Sequence, residues 1–136
     1  MGCDIHGVVQ IRWGDDKWWE TVEGIDRERN YNLFAVLAGV RNAYEVKPIS
    51  EPRGLPADFL GAEDHPWEPA FVDGCVVTWM GDHSHSWLTP KEIEEWPGWT
   101  DELRASVGER FFAWLRWIRL AYNDTTEARI VFGFDN

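Results

Sequence analysis

Residues 3–12 read CDIHGVVQIR and residues 128–134 read ARIVFGF, and these two stretches at opposite ends of the chain decide the fold. β-Branched and aromatic side chains are frequent in both, which favours β-strands. Residues 13–16 (WGDD) are a turn signal, so residues 17–22 (KWWETV) are predicted to return as the second strand of a hairpin. We expect the C-terminal strand to pair antiparallel with the first strand. The start of one strand would then lie beside the end of the other.

Short helices are predicted at two places between these strands. Asn30 or Asn32 caps the first helix, and Gly39 ends it. Residues 89–92 (TPKE) match a capping box with proline at the first helical position. This second helix is predicted to end at residues 97–98 (PG).

A long helix is predicted over residues 101–122, with Thr100 as its cap. Its apolar positions are three or four residues apart, as on the buried face of a helix. These positions are Leu103, Val107, Phe111, Leu115, Ile118 and Tyr122. Trp114 and Trp117 lie off this stripe, and we expect them to widen the face that packs on the core.

The middle of the chain is less regular. Residues 44–69 contain five of the seven prolines and are predicted to form a long Pro-rich loop. Residues 71–79 include a short buried strand, which runs into a loop at residues 81–87. The whole pattern predicts one α+β domain over residues 1–136, with a small antiparallel sheet packed against one long and two short helices.

Composition and charge restrict the partners. The chain has 136 residues, 13 Lys+Arg and 24 Asp+Glu, and a net charge of −11, so it would repel the phosphates of long DNA or RNA. No apolar stretch is long enough to span a bilayer, and no signal peptide opens the chain, so we expect a cytoplasmic protein without a membrane partner. Ten tryptophans supply a Trp-rich core, a surface for stacking aromatic ligands, or both.

Asp4 and His6 are two residues apart at the start of the first strand, so their side chains are expected on one face. An Asp-x-His pair can chelate a divalent metal ion or orient an imidazole as a general base. Antiparallel pairing would bring Asp135 to the same rim. Asp4 and His6 are therefore candidate catalytic residues, and Asp4, His6 and Asp135 are candidate metal ligands. Alternatively, Asp4 is a surface acid, His6 is a hydrogen-bonded structural histidine, and Asp135 lies in a frayed terminus.

His83 and His85 form a second polar cluster, in the sequence HSHS. Histidines can transfer protons near neutral pH, and we expect both to join Asp4 and His6 in one catalytic site. The alternative is a serine-rich turn whose histidines bond to the backbone.

Arg29, Arg53, Trp87 and Asn136 are the candidate ligand-binding residues. A guanidinium group can hold a phosphate through two hydrogen bonds, and an indole can stack on a nucleotide base. In so acidic a chain, each arginine can instead pair with a carboxylate. A tryptophan can equally well pack in the core.

Five segments occur together in one order along the chain, and as a set they resemble a family of small proteins encoded by bacteriophages and prophages. They are MGCDIH (1–6), RNYNLFAVLAGVRN (29–42), PRGLP (52–56), HSHSWLT (83–89) and RIVFGFDN (129–136). The resemblance implies a phage origin and action in the cytoplasm of an infected bacterium. It brings no established catalytic residues. Phages commonly carry small hydrolases, and small proteins (sponges) that bind nucleotides without cleaving them, to counter cyclic nucleotide signals of host defence. This comparison rests on the phage context and not on shared residues.

Three functions are therefore open at the level of sequence. The first is a phosphodiesterase-type hydrolase of a small nucleotide, with a divalent metal ion as the candidate cofactor. The second is a sponge that binds such a nucleotide without cleaving it. The third is an acidic interaction protein that blocks a host protein. A homo-oligomer is compatible with each of them.

Overall fold

The computed structural model describes residues 2–16, 19–59, 70–72, 75–77, 80–123 and 127–136, with the backbone alone for residues 70–72 and 75–77. Along the chain these ranges contain β1 (Ile5–Arg12), β2 (Glu20–Gly24), α1 (Tyr31–Ala38), β3 (Ala70–Val72), β4 (Cys75–Val77), β5 (His83–Leu88), α2 (Pro90–Glu94), α3 (Asp101–Val107), α4 (Glu109–Ala121) and β6 (Glu127–Phe134). Four strands form one antiparallel sheet in the order β2-β1-β6-β5, and β3 and β4 form a separate hairpin. The fold is α+β, as predicted.

The strands from the two ends of the chain lie side by side in the middle of the sheet. β1 and β6 are antiparallel, with Ile5 opposite Phe134 at one end and Arg12 opposite Glu127 at the other. Each has a further strand on its outer side, which explains why both strands are almost entirely buried. The predicted pairing of the terminal strands is confirmed.

Apolar side chains cover both faces of the sheet, because successive residues of a strand point to opposite faces. The helices pack on the first face and make the main core with strand residues such as Ile5, Val9, Ile130, Phe132 and Phe134. The second face holds a smaller cluster of Val8, Phe59, Met80 and Val131, with Leu55 and Trp87 packed against it. Residues near the second face are the ones that matter for the candidate sites.

Local signals place the short helices correctly. The side chain of Asn30 accepts a hydrogen bond from the backbone N–H of Leu33, and Gly39 ends α1 with a φ of 73° that suits glycine. At α2, Thr89 and Glu92 form the predicted capping box. Both caps act within a few residues, which is why they can be recognised in the sequence.

The predicted long helix is in fact two helices. α3 and α4 are separated at Gly108, whose φ of 91° and ψ of 159° break the helical path. The periodicity hides this break, because Val107 and Phe111 on either side of it are both buried and four residues apart. Trp114 packs against the main core as expected. The prediction for Trp117 is wrong, because its side chain is 49% exposed.

Two further segments differ from the predictions. Residues 83–87 belong to the edge strand β5 and not to a loop, because their backbone pairs with β6. The strand predicted within residues 71–79 is the short hairpin of β3 and β4. In the predicted Pro-rich loop, residues 44–59 contain no helix or strand, and residues 60–69 lie outside the described residues. No helix in the described ranges has the length and apolar character needed to cross a membrane.

Candidate functional site

The end of the sheet where β1 begins and β6 ends brings Asp4, His6, His85 and Asp135 together, and we call it the histidine end. His6 on β1 lies opposite Gly133, and Asp135 follows directly after β6. The Nε2 atom of His6 is 2.8 Å from Oδ2 of Asp135, and the two side chains are 12% and 20% exposed. The antiparallel register thus places Asp135 on the rim expected from the sequence.

The hydrogen bonds of Asp135 define the state of this pair. Its Oδ1 atom accepts the backbone N–H of Asp4 at 2.8 Å. Although burial raises the pKa of Asp135, the hydrogen bonds from His6 and from the backbone of Asp4 lower it below its ordinary value. The carboxylate is therefore ionised at neutral pH, and Nε2 of His6 carries the proton in their hydrogen bond. In this tautomer Nδ1 is the basic nitrogen of the ring.

Asp4 faces a different partner from the one expected. Its two carboxylate oxygens accept hydrogen bonds from Nε and Nη2 of Arg29, at 2.9 and 3.1 Å. This pairing lowers the pKa of Asp4 and keeps it ionised. Asp135, and not Asp4, therefore orients His6. Arg29 pairs with an acid, which was the alternative to its role as a phosphate ligand.

The two histidines of β5 point to opposite faces of the sheet. His83 lies opposite Phe134 and Ser86 lies opposite Phe132, so three steps on β5 match two on β6. Ser84 absorbs the extra residue with a φ of 54°. A regular strand would place His83 and His85 on one face, whereas the bulge separates them. The structure therefore does not bring the two histidines together on one face, and their joint action stays a prediction.

His85 lies on the same face as His6. A Cβ atom on Gly133 would be 2.6 Å from Cδ2 of His85, so the imidazole occupies the space above this glycine. Gly133 is the β6 partner of His6, and paired residues share a face. Nε2 of His85 donates to the carbonyl oxygen of Gly81 at 2.9 Å, since a carbonyl can only accept. His83 instead stacks on Phe134, with ring centroids 6.3 Å apart.

Arg53 and Trp87 form a contact of their own, away from His6. Arg53 donates to both carboxylate oxygens of Glu92, at 3.0 and 2.6 Å, and its Cζ atom is 4.6 Å from the centre of the Trp87 ring. Glu92 also belongs to the capping box of α2. Arg53 therefore fastens its loop to α2, and Trp87 packs on the second face of the sheet.

Asn136 ties the two termini together. Its side-chain amide donates to the carbonyl oxygen of Gly2 at 2.8 Å. The backbone N–H of Asp135 donates to the carbonyl oxygen of Asp4 at 3.1 Å, which continues the β1–β6 ladder past Phe134. The terminal residues are thus held in place, and the frayed-terminus alternative does not apply to them.

A cavity of about 790 Å³ lies between α1 and α3 and is lined by residues that reach the histidine end. Among them, Arg41 donates to the carbonyl oxygen of Asn136 at 3.5 Å, and the hydroxyl of Tyr31 accepts the backbone N–H of Cys3 at 3.0 Å. Arg41 and Tyr31 thus contact the neighbours of Asp135 and Asp4. Neither His6 nor Asp135 lines this cavity, and Arg41 and Tyr31 link it to the histidine end only through Asn136 and Cys3.

The described residues contain no cluster of side chains that supports a metal site. Within the described part of the chain, no three side chains of His, Cys, Asp or Glu are arranged to hold a metal ion. The oxygens of Asp4 and Asp135 instead accept hydrogen bonds from protein donors. The metal set of Asp4, His6 and Asp135 stays a prediction.

The opposite end of the sheet holds a charged cluster that sequence analysis missed. We call Arg12, Trp19, Asp58 and Arg129 the arginine end. Arg129 is 5% exposed and donates to Oδ1 of Asp58 at 2.7 Å, and its Cζ atom is 3.9 Å from the centre of the Trp19 ring. The available signal was a lone arginine in the otherwise apolar stretch ARIVFGF, on the strand face shared with Val131.

Comparison with protein-family models, with curated proteins and with solved structures finds no match for this chain. The function is therefore inferred from the geometry of the site.

Proposed function

We propose that the protein is a hydrolase that cleaves a phosphodiester bond in a small nucleotide, with His6 as general base. The observation that carries the proposal is the hydrogen bond of 2.8 Å between Nε2 of His6 and Oδ2 of Asp135. A carboxylate in this position holds the imidazole in one orientation and stabilises its protonated form. Both effects favour proton transfer to the opposite ring nitrogen, Nδ1.

The proposed reaction uses the two histidines on the second face of the sheet. Nδ1 of His6 takes a proton from a water molecule, whose oxygen attacks the phosphorus. The bond from phosphorus to the leaving oxygen breaks, and the protonated form of His85 donates the proton that this oxygen needs. Arg41, beside Asn136 and in the wall of the neighbouring cavity, would stabilise negative charge on the phosphate.

The charge of the chain supports a small substrate. At a net charge of −11, a polymer would be repelled along its length, whereas one or two phosphates need only a few well-placed cations. The resemblance to phage-encoded proteins makes cyclic nucleotide signals of host defence the substrates to test first. The cytoplasm of an infected bacterium would then be the site of action.

The test is an assay of the purified protein with a panel of cyclic and linear dinucleotides and cyclic mononucleotides, with products separated by chromatography. We expect wild type to release a linear or mononucleotide product. His6→Asn should lower turnover at least about 100-fold, since general base catalysis contributes about 10²–10⁴-fold. The matched control is His83→Asn, because His83 stacks on Phe134 on the other face and should be dispensable.

Absence of turnover with every nucleotide would contradict the proposal, and so would equal turnover by wild type and His6→Asn. A parallel assay in EDTA tests the metal alternative. We expect turnover to be unchanged in EDTA, because His6 and Asp135 need no metal ion for proton transfer.

A non-catalytic sponge is the second candidate, and the cavity lined by Tyr31 and Arg41 favours it. Aromatic and cationic groups in one cavity can bind a nucleotide without any chemical step. Heat denaturation of the complex separates the two candidates. A sponge releases the intact nucleotide, whereas the proposed hydrolase releases product.

A further inference from the structure

A second cavity lies at the arginine end of the sheet. Its volume is about 710 Å³, within the range of roughly 300–1,000 Å³ that is usual for small-molecule sites. The ends of β1, β5, β6 and α4 surround it. Arg12 is six residues further along β1 than His6, which corresponds to roughly 20 Å at about 3.3 Å per residue. This cavity is therefore distinct from the proposed hydrolase site.

The cavity wall has a net positive charge, whereas the chain as a whole has a net negative charge. The lining residues include four cations, Arg12, Lys91, Arg119 and Arg129, and two acids, Asp58 and Glu127. The chain as a whole has 13 basic and 24 acidic residues. A local excess of positive charge in so acidic a protein favours an anion at this place.

The buried part of this wall is held rigidly. Arg129 donates to Oε1 of Gln10 at 2.9 Å and to Oδ1 of Asp58 at 2.7 Å. Although burial raises the pKa of Asp58, the hydrogen bonds from Arg129 and Trp19 lower it below its ordinary value. Asp58 therefore stays ionised and keeps both neighbouring guanidinium groups oriented, since Arg12 is 3.9 Å from it.

Lys91 is the cation best placed to meet a ligand. It is exposed in the first turn of α2, and within the described part of the chain no ion pair is formed by it. Arg119 on α4 pairs with Glu94 at 2.6 Å, and Arg12 pairs with Glu127 at 2.5 Å. An incoming anion would gain a partner at Lys91 without first breaking an ion pair.

Aromatic and aliphatic groups complete the wall. Trp87 lies in it, and the guanidinium of Arg53 over the ring restrains the indole. Pro90, Ile118 and Ala128 also line the cavity. A planar ring can contact this surface while an anionic group on the same molecule reaches Lys91.

We propose that this cavity binds a small organic anion with a planar ring, of the class of a nucleoside monophosphate. Lys91 and Arg12 bind the anionic group, and Trp87 contacts the ring. The site is independent of the proposed hydrolase, and its ligand does not need a phosphodiester bond.

Calorimetric titration of the full chain with AMP, adenosine and inorganic phosphate tests the proposal. AMP has the ring and the charge together and no phosphodiester bond to cleave. We expect AMP to bind at least about tenfold more tightly than either adenosine or phosphate, since both halves of the site contribute. Equal affinity for AMP and phosphate would overturn the proposal, and so would no AMP binding at millimolar concentration.

Variants locate the site. Lys91→Gln should weaken AMP binding about tenfold and leave adenosine binding unchanged, because it removes one charge-assisted contact. Ala128→Phe should abolish AMP binding, because Ala128 lines the cavity and the added ring takes up part of its volume. The matched control is Lys47→Gln, which removes an exposed lysine that is not among the cavity residues. AMP binding that survives both cavity variants, with their unfolding temperatures kept, would place the ligand elsewhere and refute the proposal.

His6→Asn separates the two proposals. AMP affinity should be the same in His6→Asn as in wild type, whatever the outcome of the hydrolase assay. A loss of AMP affinity in His6→Asn would show that AMP binds at the histidine end and would overturn the assignment of the cavity.

Discussion

At each end of the β1–β6 pair, a basic side chain on β1 contacts an acidic side chain at an end of β6. The two contacts differ in the chemistry of the basic group. At the histidine end, His6 on β1 meets Asp135 after β6. At the arginine end, Arg12 on β1 meets Glu127 at the start of β6. Guanidinium keeps its charge at every relevant pH, whereas imidazole can gain and lose a proton near neutrality. The first end is therefore suited to proton transfer and the second to permanent charge pairing.

Each end combines a buried contact with an exposed one. At the histidine end, the His6 and Asp135 side chains are 12% and 20% exposed, whereas those of Asp4 and Arg29 are 40% and 52% exposed. At the arginine end, Arg129 is 5% exposed and packs against Trp19, whereas the side chains of Arg12 and Glu127 are 26% and 46% exposed. The two ends therefore differ in the chemistry of their side chains and not in their overall exposure.

The largest effect is expected from Gly133→Ala at the histidine end. A Cβ atom there would be within 2.1 Å of the carbonyl oxygen of Met80, a backbone atom that cannot easily move. We expect a loss of about 3 kcal/mol in the free energy of unfolding, measured by urea denaturation. The control is Gly14→Ala, which meets no atom within 4 Å but has a φ of 49°, and should cost about 1 kcal/mol. Equal losses would show that Gly133 is not packed closely against the backbone of Met80 and the ring of His85.

The second-largest loss of unfolding free energy is expected from a substitution of Arg129 at the arginine end. Arg129→Met removes two hydrogen bonds and a buried contact with Trp19, and should cost about 2 kcal/mol of unfolding free energy. Arg12→Met is the matched control, because the Arg12 side chain is 26% exposed and its ion pairs are near the surface. It should cost about 0.5 kcal/mol. A reversed order of the two losses would refute the central role of Arg129.

The smallest effect is the pH-dependent contribution of Asp135 to the stability of the fold at the histidine end. The pKa of Asp135 is lower in the folded chain than its ordinary value, so its contribution is complete above about pH 4 and is lost as the pH falls below this value. Asp135→Asn should therefore cost about 1 kcal/mol at pH 7 and progressively less in acid. Urea denaturation at pH 7, 4 and 3 measures this dependence.

Asp15→Asn is the control for that series, because Asp15 is exposed in the turn after β1. Its effect on unfolding should be small and nearly the same at each pH. A cost of Asp135→Asn that stays constant between pH 7 and pH 3 would show that the charge of Asp135 does not stabilise the fold.

Part of the candidate site followed directly from strand pairing. Once residues 3–12 and 128–134 are taken as antiparallel partners, Asp135 must lie near the start of β1, where Asp4 and His6 are. The face of His85 did not follow in this way. A bulge changes which face of the sheet every residue beyond it points to. The sequence did not predict this bulge, because a serine such as Ser84 is not typical of a positive φ.

The charged partners were the least predictable part. Arg29 could be expected to meet either a phosphate or an acid, and only the folded chain selects Asp4. The buried position of Arg129 was missed because the interpretation of residues 128–134 concentrated on their apolar members. Arg129 and Asp58 are 71 residues apart in the chain, and no local pattern connects them.

The sequence by itself determined the α+β class, the capped ends of α1 and α2, and the pairing of the terminal strands. These features depend on side-chain periodicity and on hydrogen bonds between near neighbours, which the order of residues expresses directly. Only the tertiary structure decided which charges meet and which face His85 occupies. Ion pairs and bulges depend on how distant segments approach one another, and in a chain of net charge −11 the fold selects among many possible acidic partners for an arginine.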